Sequence, residues 1–425
     1  MNTTKTFKVA AATALLTAGL SIASAARAET YHWFRAVPER EGTSQAIKAL
    51  IAKYKETHPD FDIQIEWATD RPSYLQKLKI LATSDELPDL FDSDAEPYFA
   101  QLAANGMVAN IGNIFDELKI TDKFFPLALD YERLDDGSLF LIPWQSNTEY
   151  FWYHPSAFEK VGVEVPKTLD DFKKACETLA KSSKVSISID GKDYWPVFRY
   201  LSLPAFRETG NQFLTDLKNG KASMTDPVGV ESAKFLQDVG KNCFQQGWTT
   251  ADYTTALNLF LSGDAAIHYV GTWELPSMLD EKGNLKNDIK YFKMPVIDGK
   301  MATKPMDFYA HAGIGTAIKA GSDTDEMKDF LKFFAENFGD MMMYDYHVLP
   351  SLKPTIKPEL PQIYKDILDD VSKVGTYTHV WDVKLDPNTV DVLYRQSQLL
   401  VLGQTSPEQF GKEIDEAVKQ YNAGK

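Results

Sequence analysis

The sequence predicts a two-lobed α/β protein, and three observations carry that prediction. Strand-like and helix-like stretches alternate along the first third of the chain, the order that builds an open, mainly parallel sheet flanked by helices. With 425 residues, the chain exceeds what one ordinary hydrophobic core accommodates. No internal repeat or low-complexity linker divides it, so the two lobes must share a chain that crosses between them more than once.

The elements follow in order. Residues 1–28 read as a leader: Lys5 and Lys8, an apolar and small-residue run from Val9 to Ala26, then Ala26-Arg27-Ala28 as a small-x-small cleavage site. These are the three parts of a secretory signal peptide. Its strongly apolar part, Val9 to Ile22, is shorter than the roughly 20 residues of a spanning helix, and no cysteine follows the cleavage site to carry a lipid. The exported chain is expected to begin near Glu29. "ETYHWFRAV" then reads as a strand, and "EGTSQAIKALIAKYKETHPD" as a helix capped by Thr43 or Ser44, with Ile47, Leu50, Ile51 and Tyr54 at helical spacing. "FDIQIEWAT" alternates as a strand does, "SYLQKLKILATS" is helical, "LPDLFDSD" is a short strand, and the next helix stops at Asn105-Gly106. Two strands, Ser138–Ile142 and Thr148–Tyr153, flank a polar break. A helix capped by Thr168, a helix-rich middle with turns at Gly210-Asn211, Asn219-Gly220 and Asp226-Pro227, helix "YTTALNLFLSG" and strand "AAIHYV" follow. "DTDEMKDFLKFFAENF" and "PEQFGKEIDEAVKQYNA" are late helices.

Composition excludes several function classes. Removing the leader's three cations takes the net charge from −15 to −18, and such a surface repels nucleic acid and anionic lipid. There is no G-x-S-x-G elbow, phosphate-binding loop or H-E-x-x-H. The glycines of "HAGIGTA" are too few for a dinucleotide site. The seven histidines form no close ligand pair, so no metal or cofactor is expected. The acids Asp92, Asp94 and Glu96, and Asp135 with Asp136, offer a glycosidase pair only if geometry brings them together; solvated or ligand-binding carboxylates are the commoner reading. Cys176 and Cys243 are the only cysteines. An oxidising compartment permits their pairing, but a disulfide also needs geometry that a sequence does not carry, and the question stays open.

The positive signal is a mixture of flat apolar rings and planar polar groups. Sugars present flat apolar faces edged by hydroxyls, which aromatic platforms and carboxylate, amide or guanidinium groups satisfy together. Four stretches carry that mixture at a strand end or break: "HWFRAVPER", "DSDAEPY", "PWQSNTEY" and "GTW". Strand ends face the crevice in open α/β sheets. Trp33 and Arg35 follow from the first, with Arg35 holding either a hydroxyl pair or an ion pair. Trp144 is either platform or core. Gly271 lets the chain turn and approach a ligand, and Trp273 offers its face to a sugar ring. His268 reads as a satisfied interior residue, and Trp195 and Trp248 as core or lobe surface.

At these residues the chain resembles the extracellular solute-binding proteins of carbohydrate-import ABC transporters, the maltose-binding-protein-like family 1. "LPDLFDSD" followed by "YFAQLAANGMVANI", the stretch "LFLIPWQSNTEYFWYHPSAFEKVGVEVPKTLDDFKKACETLAK", "FLSGDAAIHYVGTW", "MPVIDGK" and "DEMKDFLKFFAEN" stand in that family's order. The chain departs from the pattern with His154 for the usual Asn, Leu169 for Trp and Ile267 for Met. The resemblance implies a class II periplasmic-binding-protein fold with the ligand cleft between lobes. It implies lobes at 29–143 plus 308–352 and at 147–303 plus 353–425, with hinge crossings near 143–147, 303–308 and 352. It further implies that Asn147 and at least one of Asp92, Asp94 and Glu96 contact ligand. Tyr309 and His311 serve as hinge, contact or both, and Trp381 and Arg395 lie where a late contact falls. The implied function is that of a periplasmic, monomeric sugar-binding subunit that closes on its ligand, delivers it to ABC permease subunits and catalyses nothing. The alternatives are the same fold binding a polyamine, polyol, iron or glycerol phosphate, and a secreted carbohydrate-active enzyme.

Overall fold

The structure is a computed structural model describing residues 30–68, 71–182, 185–299, 301–357 and 360–424. The expected signal peptide lies outside the described residues. Among the described residues, nine strands occur in the order β1 (Thr30–Arg35), β2 (Asp62–Trp67), β3 (Leu90–Ser93), β4 (Asn147–Tyr153), β5 (Val185–Ser188), β6 (Ala265–Gly271), β7 (Lys290–Phe292), β8 (Ala310–His311) and β9 (Gly315–Ile318). They form two sheets, β2-β1-β3-β9 and β5-β6-β4-β7, with β8 paired to β4 off the second.

The first sheet shows why strand periodicity matters. β1 runs parallel to β2 and β3, with Trp33 beside Leu90 and Phe34 beside Phe91, while β9 is antiparallel to β3. Successive side chains point to opposite faces. Tyr31, Trp33, Leu90 and Ile318 accordingly join one apolar cluster, with Ile47, Leu50 and Tyr54 of the following helix. Phe34, Phe91 and Ala317 join another on the opposite face, with Tyr74 and Leu78. The second sheet lies in one large cluster built on Tyr150–Tyr153, Ile267, Phe198 and Phe292.

Most elements match the sequence reading, and the differences have physical causes. The mainly parallel arrangement holds for β1, β2 and β3; in the second sheet β4 is antiparallel to β6 and β7, and only β5 and β6 run parallel. Residues 138–142 form isolated bridges, Arg133 with Leu139 and Ile142 with Thr316, rather than a strand. Pro143 follows at once and has no N–H to extend the ladder. The first helix, Gly42–Lys55, is preceded by Glu41 without a side-chain cap, and Thr43 and Ser44 are buried inside it. The helix Leu169–Ala180 has the expected Thr168 cap, completed as a capping box by Asp171. Cys176, in that helix, is bonded to Cys243, which ends the helix Pro227–Cys243, with Cα atoms 5.6 Å apart. The pairing that sequence left open is thus made, tying two helices of the second core.

Candidate functional site

The two sheets face each other across a cavity of about 510 Å³. Its first wall comes from the strand ends and loops of the first sheet: Arg35, Arg40, Glu41, Arg71, Asp94 and Glu96. Its second wall comes from around the second sheet, including Asn147, Trp195, Arg199, Tyr253, Trp273 and Tyr394. Among the described residues, polar contacts that reach from one side to the other include the following. Arg40 Nη2 donates to Thr254 Oγ1 at 3.3 Å, Lys384 Nζ to the Ala95 carbonyl at 3.3 Å, and Lys218 Nζ to Asp135 Oδ2 at 2.5 Å.

Trp273 is set by its neighbours. β6 delivers the chain to Gly271, whose φ of −87° and ψ of 176° are ordinary extended values. The expected sharp turn is therefore absent, and glycine is needed for another reason. A Cβ at 271 would lie 1.9 Å from the Trp273 ring, so the indole folds back over this residue. Trp273 Nε1 donates to Tyr253 Oη at 3.0 Å, and Tyr253 Oη donates to Glu274 Oε2 at 2.6 Å. The indole meets Trp195 edge-on at 5.8 Å and His311 at 5.6 Å. It is a half-buried ring on the cavity wall with its N–H already partnered, the arrangement that leaves a face free for stacking.

Beneath it lies a buried charge network on β4. Arg199 Nε donates to both carboxylate oxygens of Glu149 at 3.1 and 3.0 Å, and its Nη1 donates to Asp382 at 3.0 Å. The guanidinium lies 5.0 Å from the Trp195 and Tyr309 ring centres. Gly313 N–H donates to His311 Nδ1 at 3.0 Å, so Nε2 carries the proton and donates to Glu149 at 2.9 Å. Burial alone would raise the Glu149 pKa, but Arg199 and His311 bring it down to about 2. The network joins β4, β8 and two helices where the chain passes between the sheets. Asn147 continues it: its Nδ2 donates to Gln145 at 2.6 Å, and Thr272 Oγ1 donates to its Oδ1 at 3.4 Å.

Of the residues read from sequence, Arg35, Asp94, Glu96, Trp144, Asn147, Trp273 and His311 reach the cavity wall. Asp94 pairs with Arg71. Burial, reinforced by the charge of Asp94, raises the Glu96 pKa to about 7. Trp144 is both wall and core, almost wholly buried against Trp33 and Phe334, with Nε1 donating to Thr316 at 2.7 Å. Six other residues do not line the cavity. Trp33 is buried, and its Nε1 donates to Asp92 at 3.0 Å. Asp92 also accepts from the Ala36 N–H and Thr316, so this acid braces the sheet. Gly271 acts through Trp273. Tyr309 is buried behind the wall, bonded to Ser202. Trp381 packs on Phe213 in the second core, and Arg395 is exposed, donating to the Asp391 carbonyl one turn back. His268 is buried as expected, and burial lowers its pKa to about 4.

Sequence reading missed Arg71, Tyr131, Arg199, Tyr253, Asp382 and Tyr394, and it assigned Trp195 elsewhere; all seven line the cavity. All seven lie in helices, whose cavity-facing side only packing selects. Tyr253 alone had a local signal, opening an Asp252-capped helix that leads into β6. Among the described residues no group of three or more His, Cys, Asp or Glu could hold a metal, and no helix is long and apolar enough to cross a membrane.

Two sheets on separate cores, crossed by one chain and enclosing a mixed aromatic and polar cavity, define a two-lobed ligand-binding protein of the solute-binding class. The family profile described as bacterial extracellular solute-binding protein matches residues 38–338. The chain belongs to that family. It is 27% identical over 240 residues to the maltotriose-binding protein of Pyrococcus abyssi, a match covering 56% of this chain and 48% of that one. It is 22% identical over 364 residues to the melibiose/raffinose/stachyose-binding protein MelE of Bacillus subtilis, covering 80% of this chain and 76% of that one. The chain thus spans about half the length of the first of these relatives. Among solved structures, a chitin oligosaccharide binding protein superposes with a TM-score of 0.82 at 21% identity, covering 93% of this chain and 99% of that one.

Proposed function

We propose that this protein is the periplasmic substrate-binding component of an ABC importer, capturing a saccharide by lobe closure and delivering it to the transmembrane permease subunits. One observation carries the reading: a single cavity whose two walls combine aromatic rings, Trp273, Trp195 and Tyr253, with carboxylate, amide and guanidinium groups. The cavity volume falls within the roughly 300–1,000 Å³ of small-ligand pockets. The saccharide-binding names of the matched relatives support the same class. Ligand shifts the open–closed equilibrium because only the closed form touches it from both sides.

In this reading the protein is an exported monomer that catalyses no reaction and contacts no nucleic acid. Core packing supports lobes near 29–143 plus 312–352 and 147–311 plus 353–425. Phe308 and Tyr309 pack in the second core and Ile318 in the first, which supports a middle crossing between His311 and Gly315 in place of 303–308. The test is a thermal-shift screen of the chain from residue 29 against mono-, di- and oligosaccharides, polyols, glycerol phosphate and polyamines. A ligand at about 100 times its dissociation constant stabilises by about 2.7 kcal/mol. A saccharide recovered unchanged after raising the melting temperature is the expected result. A hit confined to polyamines or glycerol phosphate would refute the sugar assignment, and turnover of the saccharide would refute the binding-only role.

A further inference from the structure

Resting on the sugar-binding reading, we propose that the preferred ligand is an acidic saccharide whose carboxylate is held by the guanidinium of Arg35. Arg35 ends β1 on the cavity wall and is only 1% exposed. Among the described residues its Nε and Nη1 make no hydrogen bond. Its formal counter-ion, Asp92, lies 3.7 Å from Nε, beyond hydrogen-bond reach. That carboxylate is occupied by neutral donors instead: Trp33 Nε1 at 3.0 Å, Thr316 Oγ1 at 2.8 Å and the Ala36 N–H at 2.9 Å. The Arg35 guanidinium carbon sits 4.6 Å from the Trp33 ring centre, which fixes the fork in place. A buried guanidinium with idle donors is costly unless something accepts from it. A carboxylate fits a guanidinium fork with two parallel bonds, each roughly twice as strong as a neutral one. The hydroxyls of a neutral sugar would accept from the same donors, but singly and without the charge-assisted pair.

The surroundings agree. Arg71 faces the same cavity; one of its nitrogens pairs with Asp94, while Nη1 makes no hydrogen bond among the described residues. Seven acids line the same cavity, and those with a partner or a raised pKa oppose an anion least; Asp382 pairs with Arg199. Asp94 is neutralised by Arg71, and burial holds Glu41 and Glu96 towards their protonated forms, with pKa values raised to about 7.

The experiment is calorimetry on the unfolded, ligand-stripped and refolded chain. The probes are D-galacturonate, D-glucuronate and digalacturonate, each against its neutral counterpart, D-galactose, D-glucose and galactobiose. The expected result is an acidic probe binding at least 10-fold tighter than its counterpart, with Arg35→Gln removing that preference. Should Arg35→Gln not fold, Arg71→Gln, at a more exposed side chain, is expected to narrow the preference. Neutral probes binding as tightly as acidic ones would overturn the acidic assignment and leave the sugar reading standing. Silence of all six would count against the sugar reading, and the proposal would fall with it.

Discussion

Replacing Gly271 by alanine should separate binding from folding. The backbone at 271 is extended, with φ −87° and ψ 176°, so alanine meets no backbone strain. Its Cβ, however, would lie 1.9, 2.4 and 2.6 Å from Cζ3, Cε3 and Cη2 of Trp273. Carbon atoms rest about 3.5–4.0 Å apart, so the indole must withdraw by about 1.5–2 Å. That shift breaks its hydrogen bond to Tyr253, which costs about 1 kcal/mol of stability. Alanine returns about 0.4–1 kcal/mol by restricting the unfolded chain, so the ligand-free protein should melt within a degree or two of wild type. Binding responds differently, because the displaced ring no longer lies flat against the ligand. Losing a stacked aromatic contact costs about 0.5–1.5 kcal/mol beyond its buried area, and a total near 1.4–2.8 kcal/mol weakens affinity by about 10- to 100-fold. Calorimetry with the saccharide found in the thermal screen, beside melting curves of the ligand-free variant, measures both quantities. Unchanged affinity in Gly271→Ala would refute Trp273 as the platform.

Other consequences are as direct. Glu41 is raised to about 7 by burial and by the facing charge of Glu274, and Glu96 to about 7 by burial and Asp94. A raised carboxyl stabilises the fold fully below the ordinary pKa near 4.5, and that contribution is lost as pH climbs to about 7. The melting temperature of the ligand-free protein should therefore fall between pH 5 and 8; a melting temperature that does not fall across that range would contradict this. Glu149 works in the opposite direction, its contribution being present above about 4.5 and lost as pH falls towards 2. Arg199→Met should cost about 3–5 kcal/mol in urea denaturation by removing the guanidinium that Glu149 and Asp382 share, leaving Glu149 with His311 alone, and adding Glu149→Gln should recover part of it. Replacing Cys176 and Cys243 by serine opens a loop of 67 residues, worth about 4 kcal/mol in chain entropy, and should lower the melting temperature by several degrees.

The parts of this molecule legible in the sequence are those set by short-range rules. Alternation placed β2, short apolar or aromatic runs placed β1, β3 and β6, and Thr168 marked its helix start. A tryptophan just after a buried strand marked a ring that does line the cavity. What was not legible depends on which face packs inward. Trp33 and Arg35 are two residues apart and point to the same side of β1, yet one is core and the other wall, because Arg35 is the last residue of the strand, paired to β2 but past the end of the β3 pairing. Asp92 and Asp94 differ likewise: the first still lies within β3 and braces it, whereas the second has passed its end. Arg199 sits inside the helix Trp195–Thr209, where nearly every residue is buried. No periodicity could say that its charge is matched by Glu149 and Asp382 from remote segments.

The central claim is that a saccharide closes the two lobes around this cavity. Ile80 on the first lobe and Leu402 on the second are 60% and 52% exposed, and no free cysteine competes for labelling among the described residues. The measurement is the distance distribution between spin labels at Ile80→Cys and Leu402→Cys, with and without the saccharide found in the thermal screen. The account predicts a broad distribution that collapses to one narrow closed distance on adding that saccharide, and no such change in Trp273→Ala at the same concentration. A distribution that the saccharide leaves unchanged in the wild-type lobes would contradict it.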